Sequence, residues 1–373
     1  MERPGDLERL QFLIGISTPK LLRLVARHGL PSGPVPLRHF GQLFLLSLCA
    51  TAFNLMDARR LGSRPRGPVN PAAPVFIVGH WRTGTTWLHK LLSLDPALHA
   101  PTFFECCLPG GFVSGGGWFK ARVARKLPAF RPFDQAPFGV DEPFEDEFVM
   151  AKQALVSPML ESVYPGDSRR YRGHLALETL APAERAAWEQ ALVGFARRLS
   201  LLHGKRLLFK SPAHSFRIPE LRRLFPGAKF VAIRRDPVDV IASTLKMETL
   251  LLRHNALQAP AAIDEEWIIR RYVMLQARLE QDWSRLPAQD RVELKYEDLC
   301  RDPAVEVNRV YSRLGLPNSA TRRDALAGYL AAARPGAIPR HEVERDVRLH
   351  WLQRIDSFYQ SRPDAAGALK PAA

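Results

Sequence analysis

Short apolar runs alternate with helical patterns along most of the chain. Three runs, at residues 75–78, 207–209 and 230–233, are apolar throughout, as expected for strands that are covered on both faces. A fourth strand is predicted within residues 291–299, RVELKYEDL, which continue into a helix. Segments with helical spacing of apolar residues separate these strands. The alternation predicts an α/β fold of the P-loop-like type, in which a central parallel sheet lies between two layers of helices.

Residues 1–70 differ in composition from the rest, so we expect a helical N-terminal extension followed by an α/β domain over residues 71–373. Leucines alternate with basic side chains over residues 20–28, which predicts a basic amphipathic helix. Residues 40–56 then form an apolar segment that reaches the lower limit of a membrane span, about 17 residues. Three arginines flank this segment: Arg38, Arg59 and Arg60.

Three interpretations of this extension remain open. Its helices pack on the core of the α/β domain, contact a second copy of the chain in a homodimer, or lie in a membrane interface. In the last case residues 20–60 would form a peripheral contact of a cytoplasmic protein with the inner face of the membrane. The first residues carry acidic side chains and lack the basic region of a signal peptide.

The composition adds one unusual property. With 373 residues, 46% hydrophobic and 24% charged, the chain is ordinary for a globular protein, but its formal net charge of +15 is not. The excess predicts anionic partners: a phosphorylated cofactor, an acidic substrate or an anionic membrane. Nucleic acid is the least favoured, because no basic run is interleaved with aromatic residues. The four cysteines have no metal-binding spacing, so we expect no metal and a reducing compartment.

The strand at residues 75–78 is followed by a loop bounded by Gly79 and Gly84, and then by a helix start. Backbone N–H groups at such a helix start bind anions. The two glycines have P-loop spacing, but Thr85 replaces the lysine that reaches the outer phosphates of ATP. Arg82 carries the charge instead, and hydroxyls come from Thr83, Thr85 and Thr86. The loop therefore predicts a site for a 5′-phosphate of a ligand other than ATP; the alternative is a tight turn that binds nothing.

Polar residues also follow the second and third strands. Lys210, Ser211 and His214 come after the second strand. Ligands bind beyond the carboxyl ends of parallel strands, so these groups would face the same crevice as the loop. Lys210 would neutralise a leaving phosphate there, and His214 would either accept a proton or pack in the core. Arg235 ends the third strand and Ser243 lies two turns into the next helix, so both can converge on a second phosphate.

Two acidic features complete the set of candidates. Glu105 follows the first helix beside Phe103 and Phe104, where loss of solvent would raise its pKa toward that of a general base. The alternative for Glu105 is a surface position. Five acidic residues lie further on: Asp141, Glu142, Glu145, Asp146 and Glu147. They are interpreted as the start of a helix at Pro143 and its solvated face, with lining of a substrate groove as the alternative, since their spacing does not match a metal-binding loop.

Four segments carry a family resemblance, in the order in which they occur. They are GHWRTGTTWL, LLFKSP with the following His214, FVAIRRDP through Ser243, and KYEDLCRDP. Together they resemble the sulfotransferases that use 3′-phosphoadenosine-5′-phosphosulfate (PAPS), and most closely the bacterial branch with an arginine in the phosphate loop. The similarity covers residues 74–315. It implies in-line transfer of a sulfuryl group from PAPS to a hydroxyl or amine of a lipid, carbohydrate or small-molecule acceptor.

The resemblance also implies roles for single residues. The 5′-phosphosulfate site would consist of Arg82, Thr83, Gly84, Thr85, Thr86 and Trp87. Arg235 and Ser243 would hold the 3′-phosphate, and Lys210 would assist the leaving phosphate. Relatives with an arginine in the loop tend to use a glutamate after the first helix as general base, which favours Glu105 over His214. Three residues loosely match the family's glycine-rich nucleotide segment: Arg334, Gly336 and Arg340.

Two other functions stay open from the sequence. A P-loop kinase would need magnesium and the lysine that the loop lacks. A non-catalytic, membrane-associated nucleotide-binding protein would account for residues 1–70 but not for Lys210.

Overall fold

The computed structural model describes residues 12–31, 34–62, 73–130, 137–258, 262–332 and 342–361. This part of the chain contains five strands: β1 Val75–Val78, β2 Leu98–His99, β3 Arg206–Lys210, β4 Lys229–Arg234 and β5 Arg291–Lys295. Its α-helices are α1 Thr18–His28, α2 Pro34–Gly62, α3 Thr85–Ser93, α4 Phe103–Cys107, α5 Trp118–Ala124, α6 Glu147–Gln153, α7 Ser168–Gly173, α8 Pro182–His203, α9 Ile218–Leu224, α10 Pro237–Asn255, α11 Glu265–Ser284, α12 Tyr296–Arg301, α13 Pro303–Leu314, α14 Ala320–Ala332 and α15 Arg345–Gln360.

The five strands form a parallel sheet in the order β2-β3-β1-β4-β5. In its register, Ile77 lies beside Lys210 and Val78 lies beside Ala232. The predicted α/β fold with a central parallel sheet is confirmed. β2 was not predicted because a two-residue edge strand gives no hydrophobic period. Since β1 lies between β3 and β4, the segments that follow these three strands meet at one edge of the sheet.

Alternate side chains of β1, β3 and β4 enter two different cores. Val75 and Ile77 pack with α3, α12, α13 and α14 on one face of the sheet. Phe76 and Val78 pack on the other face with α4, α6, α8 and α9. Burial on both faces explains the continuous apolar runs in the sequence. Polar groups that act on a ligand can therefore gather only at an edge of the sheet.

α1 and α2 pack on the second of these cores. Leu24 of α1 and Leu43 of α2 are buried in it. Asp57, near the end of α2, is buried and accepts the backbone N–H groups of Val113 and Ser114 at 3.0 and 2.8 Å. These helices therefore pack on the α/β domain, which is the first of the three interpretations given for the N-terminal extension. The predicted domain boundary itself lies outside the described residues.

The outward face of α2 is apolar and exposed. Leu45, Leu48 and Leu55 lie on this face, on the opposite side of the helix from Leu43. Among the described residues, α2 is the one helix that is long and apolar enough to cross a membrane, over Pro36–Gly62. One side of the helix is thus held by the domain, while the other presents leucines to the surroundings.

The acidic cluster is folded differently from the prediction. α6 begins at Glu147, not near Pro143. The backbone of residues 140–144 instead pairs with that of residues 101–104 through hydrogen bonds of 2.8–3.0 Å. This pairing holds the segment in a turn and a short bridge instead of a helix, so the predicted helix start is wrong. The interpretation as a solvated face is also wrong for Asp146 and Glu147, because both side chains are buried.

Three consecutive acidic residues pair with three basic residues that follow or end β3. The pairs, here called the acid–base ladder, are Glu145 with Lys210, Asp146 with His214 at 2.6 Å, and Glu147 with Arg217 at 2.8 Å. The side chains of the last two pairs are at most 1% exposed. A buried charge without a partner is costly, so these pairs hold the start of α6 against the segment after β3.

Replacing Glu147 by alanine should destabilise the fold by about 3–5 kcal/mol, because the buried Arg217 guanidinium would lose its carboxylate. Urea unfolding at neutral pH measures the change. Glu189→Ala is the matched control, since this glutamate pairs with Arg185 and Arg223 at the surface, and we expect a change of at most about 1 kcal/mol. Equal effects of the two substitutions would contradict a structural role for the ladder.

Candidate active site

The loop between β1 and α3 has the backbone shape of an anion cradle. Gly79 and Gly84 adopt φ values of +143° and +94°, which favour glycine. A Cβ atom on Gly79 would lie 2.7 Å from the carbonyl oxygen of Ile233, and one on Gly84 would lie 2.3 Å from the Tyr296 ring. Close packing therefore requires both glycines. Arg82 between them also has a positive φ, +67°.

The amino end of α3 faces a cleft. Gly84 caps this helix and offers no side-chain acceptor for its first N–H groups, which leaves them available to an anion. Arg82, Thr85 and Thr86 line the cleft. These three residues are therefore placed as the sequence predicts for a phosphate loop.

Two other residues of the predicted loop site support the loop from behind. Thr83 is buried and donates its hydroxyl to the His80 carbonyl at 2.7 Å. Trp87 packs against Tyr329 of α14, with ring centroids 5.9 Å apart. Burial, with a contribution from the Arg271 charge, lowers the pKa of His80 to about 3, so its imidazole is neutral.

Lys210 ends β3 at the same edge of the sheet. Its ammonium group contacts the Glu145 carboxylate and lies 3.5 Å from the Thr86 hydroxyl. Lys210 itself is 1% exposed, and both of its partners line the cleft. The structure thus brings Lys210 to the phosphate loop, as predicted from the strand ends.

The residues of the two predicted phosphate sites also converge. Arg82 Nε donates to the Ser243 hydroxyl at 2.8 Å, and Arg235 donates to the Arg82 carbonyl at 3.2 Å. The Arg235 guanidinium also lies over the Tyr296 ring, 4.5 Å from its centroid. Ser243 lies in α10, and Arg235 directly follows β4. The guanidinium groups of Arg82 and Arg235 therefore place positive charge beside the loop at this edge of the sheet.

The cleft has a volume of about 300 Å³. The apolar part of its lining includes Phe12, Trp81, Phe144, Phe148, Met247 and Leu251. Charged side chains also reach it, from Arg82, Glu145, Glu161, Arg172, Glu248, Asp264 and Arg271. A cavity that combines apolar and aromatic side chains with polar groups is typical of a small-molecule site.

Glu105 lies elsewhere and has other partners. Its carboxylate contacts His203 at 2.7 Å and His99 at 3.1 Å. Although burial raises the pKa of Glu105, the hydrogen bonds from His203, His99 and the Thr102 backbone together lower it to about 2. The prediction of a raised pKa is therefore wrong, because burial came with strong donors. Among the described residues, the cleft lining does not include Glu105.

His214 is also placed away from the cleft. Its side chain is fully buried and lies 2.6 Å from Asp146 in the acid–base ladder. The imidazole packs edge-on against Phe76 and Trp188. The structure therefore favours the packing interpretation of His214.

Two residues of the site were missed by sequence reasoning. For Glu145 the sequence offered only the alternative that some of the acidic cluster lines a substrate groove, which the structure favours for this residue, and its pairing with Lys210, 65 positions away, was missed. Tyr296 packs against both Gly84 and Arg235, and its position directly after the fourth strand was the available signal. The three residues expected from the glycine-rich nucleotide segment, Arg334, Gly336 and Arg340, lie outside the described residues.

Comparison with known proteins decides the family. A family model described as the sulfotransferase family matches residues 74–320. The chain belongs to this family. Omega-hydroxy-beta-dihydromenaquinone-9 sulfotransferase Stf3 of Mycobacterium bovis and of Mycobacterium tuberculosis is 34% identical over 342 residues, which cover 90% of this chain and 88% of the relative. The protein is thus a PAPS-dependent sulfotransferase. Of the functions left open by the sequence, the comparisons therefore favour this one over a P-loop kinase.

Solved structures agree on the fold. Sulfotransferase STF9 from Mycobacterium avium has a TM-score of 0.63 at 20% identity, with 94% of this chain and 97% of that chain covered. Sulfotransferase STF1 from Mycobacterium tuberculosis H37Rv has a TM-score of 0.57 at 17% identity, with 91% and 90% covered. The P-loop-like sulfotransferase fold therefore extends over nearly the whole chain.

Gly84→Ala should weaken binding of adenosine 3′,5′-bisphosphate at least about tenfold, because the new Cβ would displace either the loop or the Tyr296 ring. Isothermal titration calorimetry measures the affinity. Gly315→Ala is the matched control: its φ is also positive, +61°, but nothing lies within 4 Å of an added Cβ. If both variants bind the nucleotide like the wild type, the loop does not hold the donor.

Proposed function

We propose that this sulfotransferase moves the sulfuryl group of PAPS to a hydroxyl group of a hydrophobic acceptor. The observation that carries the proposal is the Lys210–Glu145 pair beside the phosphate loop, at a cleft whose lining includes Phe12, Phe144 and Met247. Lys210 and the loop would supply charge for a phosphosulfate, and the apolar part of the cleft would accommodate a hydrophobic acceptor.

The donor would lie along the edge of the sheet. The first N–H groups of α3, with Thr85 and Thr86, would bind the 5′-phosphosulfate. Arg235 and Ser243 would bind the 3′-phosphate. Because Arg82 already bridges the two groups through Ser243, it would contact the donor between its phosphates. This set of donors fits an adenosine that carries phosphate on both its 3′ and 5′ oxygens.

Lys210 and Glu145 would carry the chemistry. The acceptor oxygen attacks sulfur in line as the bond from sulfur to the 5′-phosphate oxygen breaks. Lys210 stabilises the negative charge that develops on that phosphate oxygen. Glu145 takes the proton of the acceptor hydroxyl, since it is the ladder carboxylate that reaches the cleft. Glu105 and His214, the bases predicted from the sequence, would stabilise the fold and take no part in the proton transfer.

The proposed acceptor class rests on the cleft and on one relative. Aromatic and aliphatic side chains form the apolar part of the lining, which suits a hydrophobic chain or ring. Stf3 is named for a hydroxylated menaquinone derivative and shares 34% of its residues with this chain. A terminal hydroxyl on a lipid-like molecule would meet both requirements.

The outward face of α2 supports a peripheral contact with the membrane that would hold such an acceptor. Leu45, Leu48 and Leu55 form its apolar strip, and Arg59 lies exposed near its end. Leucines that enter the lipid boundary beside arginines that meet anionic headgroups are typical of interfacial helices. We infer a cytoplasmic protein that visits the inner membrane face, rather than one that spans it.

Lys210→Ala should lower turnover about 10²–10³-fold and Glu145→Gln about 10²–10⁴-fold, while adenosine 3′,5′-bisphosphate still binds to both variants. Sulfate transfer from labelled PAPS to long-chain alcohols measures turnover, and calorimetry measures binding. Glu142→Gln is the control in the same acidic segment, because Glu142 pairs with Lys90 instead.

Glu105→Gln separates the two assignments of the general base. Loss of turnover in this variant, with Glu145→Gln remaining active, would contradict the role of Glu145 and restore the prediction made from the sequence. Full activity of Lys210→Ala would contradict the role of the lysine.

The double variant Leu45→Ser/Leu48→Ser should bind vesicles of phosphatidylglycerol and phosphatidylcholine at least about tenfold more weakly than the wild type, since two leucines would no longer enter the lipid. Co-sedimentation measures the binding. Leu349→Ser is the control, because this leucine on α15 is similarly exposed. Unchanged vesicle binding would contradict the membrane contact, and loss of a dimer in size-exclusion chromatography would assign the face to a second copy.

A further inference from the structure

A cluster outside the cleft combines His99, Glu105 and His203. His99 ends the edge strand β2, Glu105 lies in α4, and His203 is the last residue of α8. The two imidazole rings stack with centroids 3.6 Å apart and an angle of 15° between their planes. Each ring directs its Nε2 atom to one oxygen of the same carboxylate, at 3.1 Å from His99 and 2.7 Å from His203. The proposed reaction uses none of these side chains.

The ligand atoms of the cluster lie close to the spacing of a metal site. One ligand atom from each residue can be chosen so that all three lie within 4.8 Å of one another. Zinc binds imidazole nitrogen at about 2.0–2.1 Å and carboxylate oxygen at about 2.0–2.2 Å, so in a tetrahedral site two ligand atoms of one ion lie about 3.3–3.6 Å apart. Because the two rings are stacked nearly parallel, their side chains would rotate on binding so that both Nε2 atoms point to one ion.

The surroundings of the cluster favour a cation as well. The Thr102 backbone N–H donates to Glu105 Oε2 at 2.8 Å, which orients the carboxylate in the way that outer hydrogen bonds orient metal ligands. The side chain of His203 is 31% exposed, so an ion has an entry path and water can complete its coordination.

We propose that His99, Glu105 and His203 bind one Zn²⁺ ion per chain. Two imidazoles and one carboxylate form a ligand set that suits zinc better than magnesium or calcium, which prefer oxygen ligands. On binding, zinc replaces any Nε2 proton of the two imidazoles, and these protons leave to solvent. Because the side chain of His203 is partly exposed, a chelator should reach the ion and remove it reversibly.

The ion would brace one wall of the active site from outside. It would join β2, α4 and α8, and the backbone at the start of α4 pairs with residues 140–144. Glu145 comes directly after that pairing. Zinc would thus stiffen the segment that carries the proposed general base, without touching donor or acceptor.

The test uses the full chain without a histidine tag. Cys49 is replaced by serine in all variants, because an exposed thiol is a competing zinc ligand. Protein freed of metal with EDTA is titrated with ZnCl₂ by calorimetry, and unfolding temperatures are measured with and without zinc. We expect one ion per chain and a rise in Tm of about 3 °C when free zinc is a hundred times its Kd. The Co²⁺ form should show the visible spectrum of a cation with nitrogen ligands.

Two variants identify the ligands. His203→Ala removes a partly exposed ligand, and Glu105→Gln removes the charge while a glutamine at this position still permits the capping interaction with Thr102. Each should weaken zinc binding at least about 100-fold and abolish the rise in Tm. His350→Ala, which removes an exposed histidine on α15, should bind zinc like its parent.

Two outcomes would overturn the proposal: fewer than one zinc per chain in the parent protein, or zinc binding by His203→Ala and Glu105→Gln equal to that of the parent. The cluster would then be a carboxylate that accepts hydrogen bonds from two imidazoles, with no metal. Neither outcome touches sulfate transfer, because the zinc measurements need no donor or acceptor.

Discussion

The acid–base ladder is the constraint on which the site depends. Consecutive carboxylates at the start of α6 face basic side chains that end or follow β3, and two of these pairs are entirely out of solvent. Separating either buried pair would leave a desolvated charge, so the two segments cannot shift relative to each other without a large cost. The sheet fixes Lys210 beside the phosphate loop, and the ladder fixes Glu145 beside Lys210. The sheet and the ladder together thus position Lys210 and Glu145 beside the phosphate loop.

The three pairs differ in solvent exposure, and this difference distinguishes the two pairs that stabilise the fold from the pair proposed to take part in the reaction. Two pairs are buried: Glu147 with Arg217, and Asp146 with His214. In the third pair, the side chain of Glu145 is 15% exposed to solvent. Only the outermost pair can therefore exchange partners. Under the proposed mechanism, Lys210 would turn toward the departing phosphate and release Glu145 to accept a proton from the acceptor. The arrival of the donor would then activate the base, and the inner pairs would keep both groups in place.

Sequence reasoning succeeded where the relevant physics is local. Apolar runs located β1, β3 and β4, and the spacing of Gly79 and Gly84 located the phosphate loop. The rule that strand ends of a parallel sheet meet at one edge placed Lys210, Arg235 and Ser243 together. It failed where pairing joins distant segments: no pattern near Glu145 announces Lys210, and nothing near His99 announces His203. The two residues of β2 and the backbone pairing before α6 were missed for the same reason, since their partners in space set their conformation.

Glu105 and Glu145 show why burial alone does not identify a general base. The aromatic neighbours of Glu105 correctly indicated desolvation, which by itself raises the pKa of a carboxylate. Burial also brought two imidazoles and a backbone N–H to its oxygens, and these donors lower the pKa of Glu105 to about 2. The same hydrogen bonds hold the carboxylate away from the cleft. Glu145 pairs with Lys210, the group that a departing phosphate would attract under the proposed mechanism. A carboxylate becomes available for proton transfer when its counter-ion moves to another anion, and of the two glutamates the proposed mechanism provides this for Glu145.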